Sequence, residues 1–499
     1  MFPADVIVGG VKDGQTYFKD YHTTAHAPPT VDQSQDWFLI AGKETASGTI
    51  LTFVRKLNTC DTADDIVITA DTTRVIFSYH PDDVTSGIPY HGATRRGAKS
   101  VMLLSSSLTA DDVQLPSDIV TFDFLADNYH VPSDTTTYAC KTFQLPALGS
   151  KHHMIKYEPI ITPGNELNVH HMVIFRCPKH VLNHYEFRCD NYTNTPKEVA
   201  DCMIMSFIAW AVGGKTFYYP PDVGFSLGTD ADPDFFIMET HYDNPLARSD
   251  IVDSSGIRIT MTPTLRTHDA GLFLFGMSVS SMHVIPPMET DFLSKVICSS
   301  KLLEKAIPAE GIKAFAILQH SHLLGKEMAT RLYRNGSELK PLAVDKHYDF
   351  NYQDMRYLSE ERTIYPTDTL ELNCVYDSSH KRNITLGGLS THDEMCEAFI
   401  LYYPRMPIDY CSSFPLYNTI TNDVAHIYSQ VKSWDWADPA VRAKFRSAVE
   451  NSLYYQHTFG DTYAFMANTT SKDNSAAHPY IEPPDTQCQH ISGSTQDRK

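Results

Sequence analysis

Residues 168–177 read Asn-Val-His-His-Met-Val-Ile-Phe-Arg-Cys. Two adjacent histidines head an apolar run whose Val, Ile and Phe content suits a strand. Neighbouring strand residues point to opposite faces, so His170 and His171 reach one metal ion only at a strand end or bulge, or through different ring nitrogens. Two polar residues at a strand edge is the plainer account of the pair. Runs of the same texture recur at 49–54, 73–79, 235–241, 256–261, 314–318 and 397–403, broken by Pro, Gly, Asn and Asp. With no βαβ alternation, this pattern predicts an all-β chain of antiparallel sandwiches. The exception is 439–454, PAVRAKFRSAVENSLY, with apolar residues at helical spacing after Asp438, an N-cap followed by Pro.

The chain has 499 residues, which at ~150 per domain suggests about three domains. Composition shifts place a first β unit at 1–110, a linker rich in Ser, Asp, Thr and Pro at 111–135, β units at 136–262 and 263–415, and a mixed, partly helical segment at 416–499 with a mobile end. Apolar residues make up 42% and charged residues 20%, enough for buried cores. Lys+Arg 41 against Asp+Glu 60 gives −19, which argues against nucleic acid or an anionic membrane as partner. The longest apolar stretch, 203–212, falls short of the ~20 residues that span a bilayer. The N-terminus shows no leader. Yet ten Cys, none in a C-x-x-C pair, and four N-x-S/T sequons at Asn191, Asn335, Asn383 and Asn468 favour an oxidising compartment. The expectation is a secretory-pathway protein, in a vesicle or the ER lumen or outside the cell, whose signal peptide is missing from this sequence.

Most of the 23 His read as surface or hydrogen-bonded residues. In FAILQHSHLLG, however, His320 and His322 lie two apart on an otherwise apolar strand, where i and i+2 share a face and two imidazoles converge. His241 ends another apolar run in IMETHYDNP and is unremarkable alone. Met395, in THDEMCEAF, reads as a core methionine; a disulfide at Cys396 would fix its thioether. Imidazole with thioether suits copper that cycles through Cu(I). Asp393 and Glu394 beside it read as supports of a ligand or as solvated groups. H-E-x-x-H, G-x-S-x-G, the P-loop and G-x-G-x-x-G are all absent, which removes the usual support for metalloprotease, α/β-hydrolase, nucleotide-hydrolase and Rossmann readings.

Taken together, VHHMVIFRC, HYDNP, SSGIRI, HSHLLG, GGLSTHDEMC and YYPR, with the separations 171 to 241, 241 to 320 and 322 to 395, resemble the copper type II, ascorbate-dependent monooxygenases over nearly the whole chain. The wording around Asp243 and STxxEMC is most similar to the monooxygenase X branch. ADVIVGG, YFKDY, FVRKLNTCD and VIFSYH resemble the C-terminal part of a DOMON domain, an immunoglobulin-like sandwich, whose opening strands are not in the sequence. The resemblance implies a partial DOMON sandwich, two jelly-roll-like copper sandwiches and a mixed C-terminal segment. It assigns His170, His171 and His241 to one copper that passes an electron. It assigns His320, His322 and Met395 to a second, catalytic copper where O2 binds. Ascorbate is the implied reductant. One oxygen atom enters a substrate C–H bond and the other leaves as water. The two coppers are expected to face each other across an open cleft.

The resemblance also implies the disulfides Cys140–Cys189, Cys177–Cys202, Cys298–Cys411, Cys374–Cys396 and Cys60–Cys488, with no cysteine spare for an interchain bridge; an oligomer of another kind stays open. A membrane tether could come only from the missing N-terminal region. Peptide-amidating members carry an Arg two residues before the His-x-His pair, where this chain has Leu318, and an Asn and a Tyr after the Met, where it has Glu397 and Phe399. Leu cannot replace a bidentate Arg clamp on a carboxylate. The expected substrate is therefore a small molecule, an arylethylamine being one class, hydroxylated at an aliphatic or benzylic carbon. Glu397, Glu394 and Asp243 are candidate partners for its amine. The alternatives are a secreted, non-catalytic protein that keeps the scaffold, and a zinc hydrolase, which would have no use for Met395.

Overall fold

The structure, a computed structural model, describes residues 3–82, 87–104, 108–109, 111–177, 183–190, 195–200, 202, 205–229, 232, 234–460, 467–472, 478–483 and 488. The chain forms two compact units, Met1–Leu104 with Ile481–Lys499, and Ser105–Tyr480.

In the first unit, strands Ala4–Lys12 and Gln15–Thr23 form a hairpin, to which Thr30–Val31 adds. Its tip is Asp13-Gly14, both at positive φ (50° and 73°), the two-residue turn whose twist matches the strands. Two further hairpins, Phe38–Thr45 with Gly48–Val54 and Thr73–Ser78 with Arg96–Val101, remain separate two-stranded sheets. Ile40 and Phe77, one on each of these hairpins, are 65% and 57% exposed. Cys60–Cys488 joins the two pieces of the unit.

The second unit is built on one long sheet, in the order Arg356–Ile364, Ile312–His320, Glu397–Tyr403, His268–Met277, Val223–Leu227, His152–Ile160, Gly256–Thr262 and Val120–Leu125. A five-stranded sheet covers its later half: Glu186–Arg188, Thr136–Gln144, Phe235–Asp243, Val169–Arg176 and Ser206–Ala211. Between them lie Met154, Met172, Ile174, Phe207, Phe225, Phe236 and Ile259, all buried. Another sheet, with Phe292–Cys298, Thr369–Tyr376 and Gly325–Arg334, covers the other half over Phe275, Val296, Ile317, Met328, Leu372 and Ile400. The sandwiches thus share a sheet, and the joint differs from the all-antiparallel expectation. Val223–Leu227 runs parallel to His268–Met277, which also runs parallel to Ile408–Pro415. A buried ion pair, Arg176 Nη2 to Asp409 Oδ1 at 2.6 Å, ties Val169–Arg176 to Ile408–Pro415.

Two local expectations change. Part of 111–135 is not a linker: Val120–Leu125 pairs with Gly256–Thr262, and Tyr129–His130 with Val252–Asp253. The alternation Val120, Phe122, Phe124 is a strand pattern that the polar surroundings obscure. The helix after Asp438 is Pro439–Glu450 rather than reaching Tyr454. Asp438 Oδ1 accepts from Ala440 N (2.8 Å) at its start, and Phe445, Ala448 and Val449 are buried. Ser452 Oγ donates to Ala448 O and accepts from Tyr417 N, and the chain turns into strand Leu453–Gly460, which pairs with Ile408–Pro415. The end of the 416–499 segment lies largely outside the described residues.

Candidate metal centres

Strands Val169–Arg176 and Phe235–Asp243 are antiparallel neighbours, with His171 directly opposite His241. The register slips between Val169 and His171, so His170 is the extra residue of a bulge. This distortion lets adjacent histidines serve one point. His170 Nδ1 lies 3.4 Å and His241 Nδ1 3.3 Å from His171 Nδ1. Nitrogens that share one ion at ~2.1 Å would be spaced at roughly 3–3.5 Å.

Protonation is set by the acceptors. His170 Nε2 lies 3.1 Å from the Phe350 carbonyl oxygen. A carbonyl only accepts, so the ring proton sits on Nε2 and Nδ1 keeps its lone pair. Burial, with the neighbouring His320, pushes the His170 pKa down to about 3. His171 and His241 are also buried and held well below the ordinary histidine value, by burial first and then by neighbouring histidine rings, His241 foremost for His171 and His170 foremost for His241. Neutral imidazole is the form that binds metal.

His320 closes strand Ile312–His320 and His322 follows in the turn. The two rings are brought to 5.2 Å, nearly perpendicular, by that turn and not by the strand alternation expected from their spacing. The turn is held by Glu394, fully buried. Its Oε2 accepts from Ser321 Oγ (3.0 Å), His322 N (2.9 Å) and Met395 N (3.2 Å), and its Oε1 from Leu324 N (2.6 Å). One carboxylate oxygen thereby fixes the backbones of His322 and Met395 together. Met395 is held further by Tyr376, whose hydroxyl donates to its carbonyl (2.7 Å), and by the adjoining Cys374–Cys396 disulfide.

His322 Nδ1 donates to Asp393 O (3.2 Å), which leaves Nε2 as the lone-pair nitrogen; that atom is buried with no hydrogen-bond partner. A buried, orphaned acceptor is costly unless something occupies it. His320 Nδ1 donates to Gln353 Oε1 (2.5 Å), and Gln353 Nε2 donates to Phe350 O. Burial lowers His320 to about 4 and His322 well below its ordinary value. Two neutral imidazoles, one with an unused nitrogen lone pair, next to a methionine fixed by its backbone could serve a soft or borderline metal.

The expectation of an open cleft is corrected. The His171 and His320 rings stand 5.2 Å apart, and Phe350 stacks on His170 at 3.9 Å. The loop before Arg356–Ile364 brings Phe350 and Gln353 over the first set, with Gln353 N donating to Val212 O. Sequence reading missed Phe350, Gln353 and Thr391, whose residue types carry no signal for this task. Of the carboxylates singled out, Glu394 is committed to four donors. Asp243 is half-buried, and burial raises its pKa. Glu397 is buried, directly opposite His320, and pushed up to about 7 by burial. Glu239, also missed, is raised to about 8 by burial and by Glu397. Leu318 and Phe399 face each other across strands and are buried.

The remaining disulfides are Cys140–Cys189, Cys177–Cys202 and Cys298–Cys411, so no cysteine is free. Asn335, Asn383 and Asn468 are exposed; Asn191 lies outside the described residues. Among the described residues no helix is long and apolar enough to cross a membrane.

Comparison with known proteins matches residues 122–249 to the N-terminal domain, and 268–423 to the C-terminal domain, of copper type II ascorbate-dependent monooxygenases. Residues 1–80 match a DOMON domain. The chain is similar to "DBH-like monooxygenase protein 1" of Gallus gallus, 42% identical over 87% of this chain and 71% of that protein. It is also similar to "Dopamine beta-hydroxylase" of Homo sapiens, 34% identical over 82% and 66%. Among solved structures, the infectious bursal disease virus VP2 subviral particle matches with a TM-score of 0.17 at 9% identity, covering 58% of this chain and 73% of that one, which carries no argument.

Proposed function

The chain belongs to the copper type II, ascorbate-dependent monooxygenases, and from that premise we propose that it hydroxylates an aliphatic or benzylic C–H bond of a small molecule, using O2 and ascorbate. We assign one copper to His170, His171 and His241 and the catalytic copper to His320, His322 and Met395. Copper bound there supplies one-electron redox steps and O2 activation. The reading is carried by the two sets of neutral imidazoles: three Nδ1 atoms converge in one, and in the other an orphaned His322 Nε2 belongs to a residue whose backbone shares the Glu394 carboxylate with that of Met395.

The chain's own residues bind, orient and exclude water. Glu394 fixes the ligand turn; Phe350 and Gln353 close over both sets. Leu318, where a carboxylate clamp would need Arg, leaves no grip for a peptide terminus. An arylethylamine would pair its ammonium with a carboxylate. Glu397 faces the His320 side of the sheet and, with Asp243, is the proposed anchor; Glu394 is spent on its backbone donors and drops out. Five disulfides fit an oxidising secretory compartment, and the three exposed sequons are proposed glycan sites.

The test is a screen of arylethylamines for ascorbate-coupled O2 uptake, followed by Glu397→Gln and Asp243→Asn. A substrate whose turnover falls in both variants supports the reading. Unaltered turnover of a confirmed amine substrate in the double variant contradicts the amine assignment.

A further inference from the structure

His241 has its Nδ1 turned to the first set, so when that set holds an ion the ring proton must sit on Nε2. Nε2 lies 3.3 Å from Thr391 Oγ1. With that oxygen accepting, the Thr391 hydroxyl hydrogen must point elsewhere, and Thr136 Oγ1 lies 2.9 Å away. His241 to Thr391 to Thr136 is then a directed relay of two hydrogen bonds. His170 behaves alike, donating Nε2–H to the Phe350 carbonyl.

Both acceptors come from outside the sandwich that carries the first set. His170, His171, His241 and Thr136 stand on the strands of its five-stranded sheet. Phe350 and Thr391 belong to the other half, Thr391 four residues before Met395. The outer partners of a metal-bound imidazole fix its tautomer and ring plane, and their loss typically costs 10–100-fold in metal affinity. The first set is therefore incomplete without the second sandwich seated against it.

Resting on the copper assignment above, we propose that Thr391 is a positioning residue for the first copper. It acts through His241, holds that ring as the Nε2–H tautomer, and through Thr136 latches the two sandwiches together. Copper affinity at His170, His171 and His241 is in this way coupled to the seating of the sandwich that carries His320, His322 and Met395.

The test compares Thr391→Val, which keeps the shape and removes the hydroxyl, with Thr391→Ser, which keeps the hydroxyl. The full chain, stripped of copper, is titrated with Cu(I) against a competing chelator. The first set is read alone after His320→Ala and His322→Ala, and both sets are read together in the intact background. Thr391→Val is expected to weaken the first set by roughly 10-fold or more, with the second set within about threefold of wild type and Thr391→Ser near wild type. Wild-type affinity in Thr391→Val overturns the proposal. So does an equal fall at both sets accompanied by lower stability of the copper-free chain, which marks a merely structural residue. So does a serine variant as weak as valine. A wild-type chain that takes no copper at the first set overturns the copper assignment, and this proposal with it.

Discussion

Replacing Glu394 by Gln changes one atom and tests how the second ligand set is held. Glu394 is fully buried and accepts four hydrogen bonds, three at Oε2 and one at Oε1. A glutamine has one acceptor oxygen, which will take the Oε2 position because three donors converge there. Its NH2 then faces the Leu324 N–H, donor against donor. Losing a charge-assisted bond costs about 1.5–3 kcal/mol, and stranding a buried donor ~1–3 kcal/mol more. Part is returned, because burial already disfavours the ionised form, pushing Glu394 up to about 7. The expected net loss is about 2–4 kcal/mol at about pH 8, where the wild-type group is charged. It should grow near pH 6, because a carboxyl raised to about 7 in the fold stabilises the wild-type chain as pH falls through 7, a contribution that glutamine cannot make. Urea unfolding with the disulfides intact, at both pH values, measures this, and copper titration measures the second set in parallel. A loss under about 1 kcal/mol at pH 8 with full copper at the second set would refute the reasoning.

Met395→Ala should abolish oxygenation and leave the first set's copper in place; a zinc-hydrolase chemistry would be indifferent to it, so turnover and metal content together decide. Arg176→Ala strands the buried Asp409 carboxylate and should cost about 3–5 kcal/mol in urea unfolding, whereas the pair Arg176→Met with Asp409→Leu should cost far less. The copper-free chain should be most stable near pH 6.5. Below it, five imidazoles with depressed values (His170 about 3, His320 about 4, and His171, His241 and His322 well below 6.5) leave the unfolded chain binding more protons, so stability falls on acidification. Above it, Glu239 (about 8), Glu394 and Glu397 (about 7), raised from 4.5, leave the folded chain binding more protons, so stability falls as pH rises through 7–8. Each group contributes up to ~1.4 kcal/mol per pH unit, and a urea midpoint still rising at pH 8 would contradict this balance.

The β architecture was legible because the strands bury one or both faces and so carry the Val, Ile and Phe texture; Phe235–Asp243 is buried along nearly all of its length. The strand Val120–Leu125 was missed because its alternation is short and set among Ser, Asp and Pro. The parallel joints left no mark, since pairing direction is a property of distant strands. At the site, His320 and His322 stood out by spacing, but for an incomplete reason: the turn on Glu394 brings the rings together. His170 and His171 read equally well as edge residues, because a bulge is set by the partner strand and not by the run itself. Family resemblance, not spacing, joined His241 and Met395 to them. The seating of the two sets, with Phe350, Gln353 and Thr391 between, was not legible. A carbonyl, an amide and a hydroxyl acquire these roles only through contacts made elsewhere in the chain, 180 positions away for Phe350, 33 for Gln353, and 150 and 255 for Thr391.

The most direct test of the two-centre account is a copper titration of the full chain, read with the ligand variants. The account predicts about two coppers per chain, about one after His170→Ala with His171→Ala, about one after His320→Ala with His322→Ala, and none with all four changed. Folded wild-type protein that takes up no copper, or variants that leave its uptake unchanged, would contradict it.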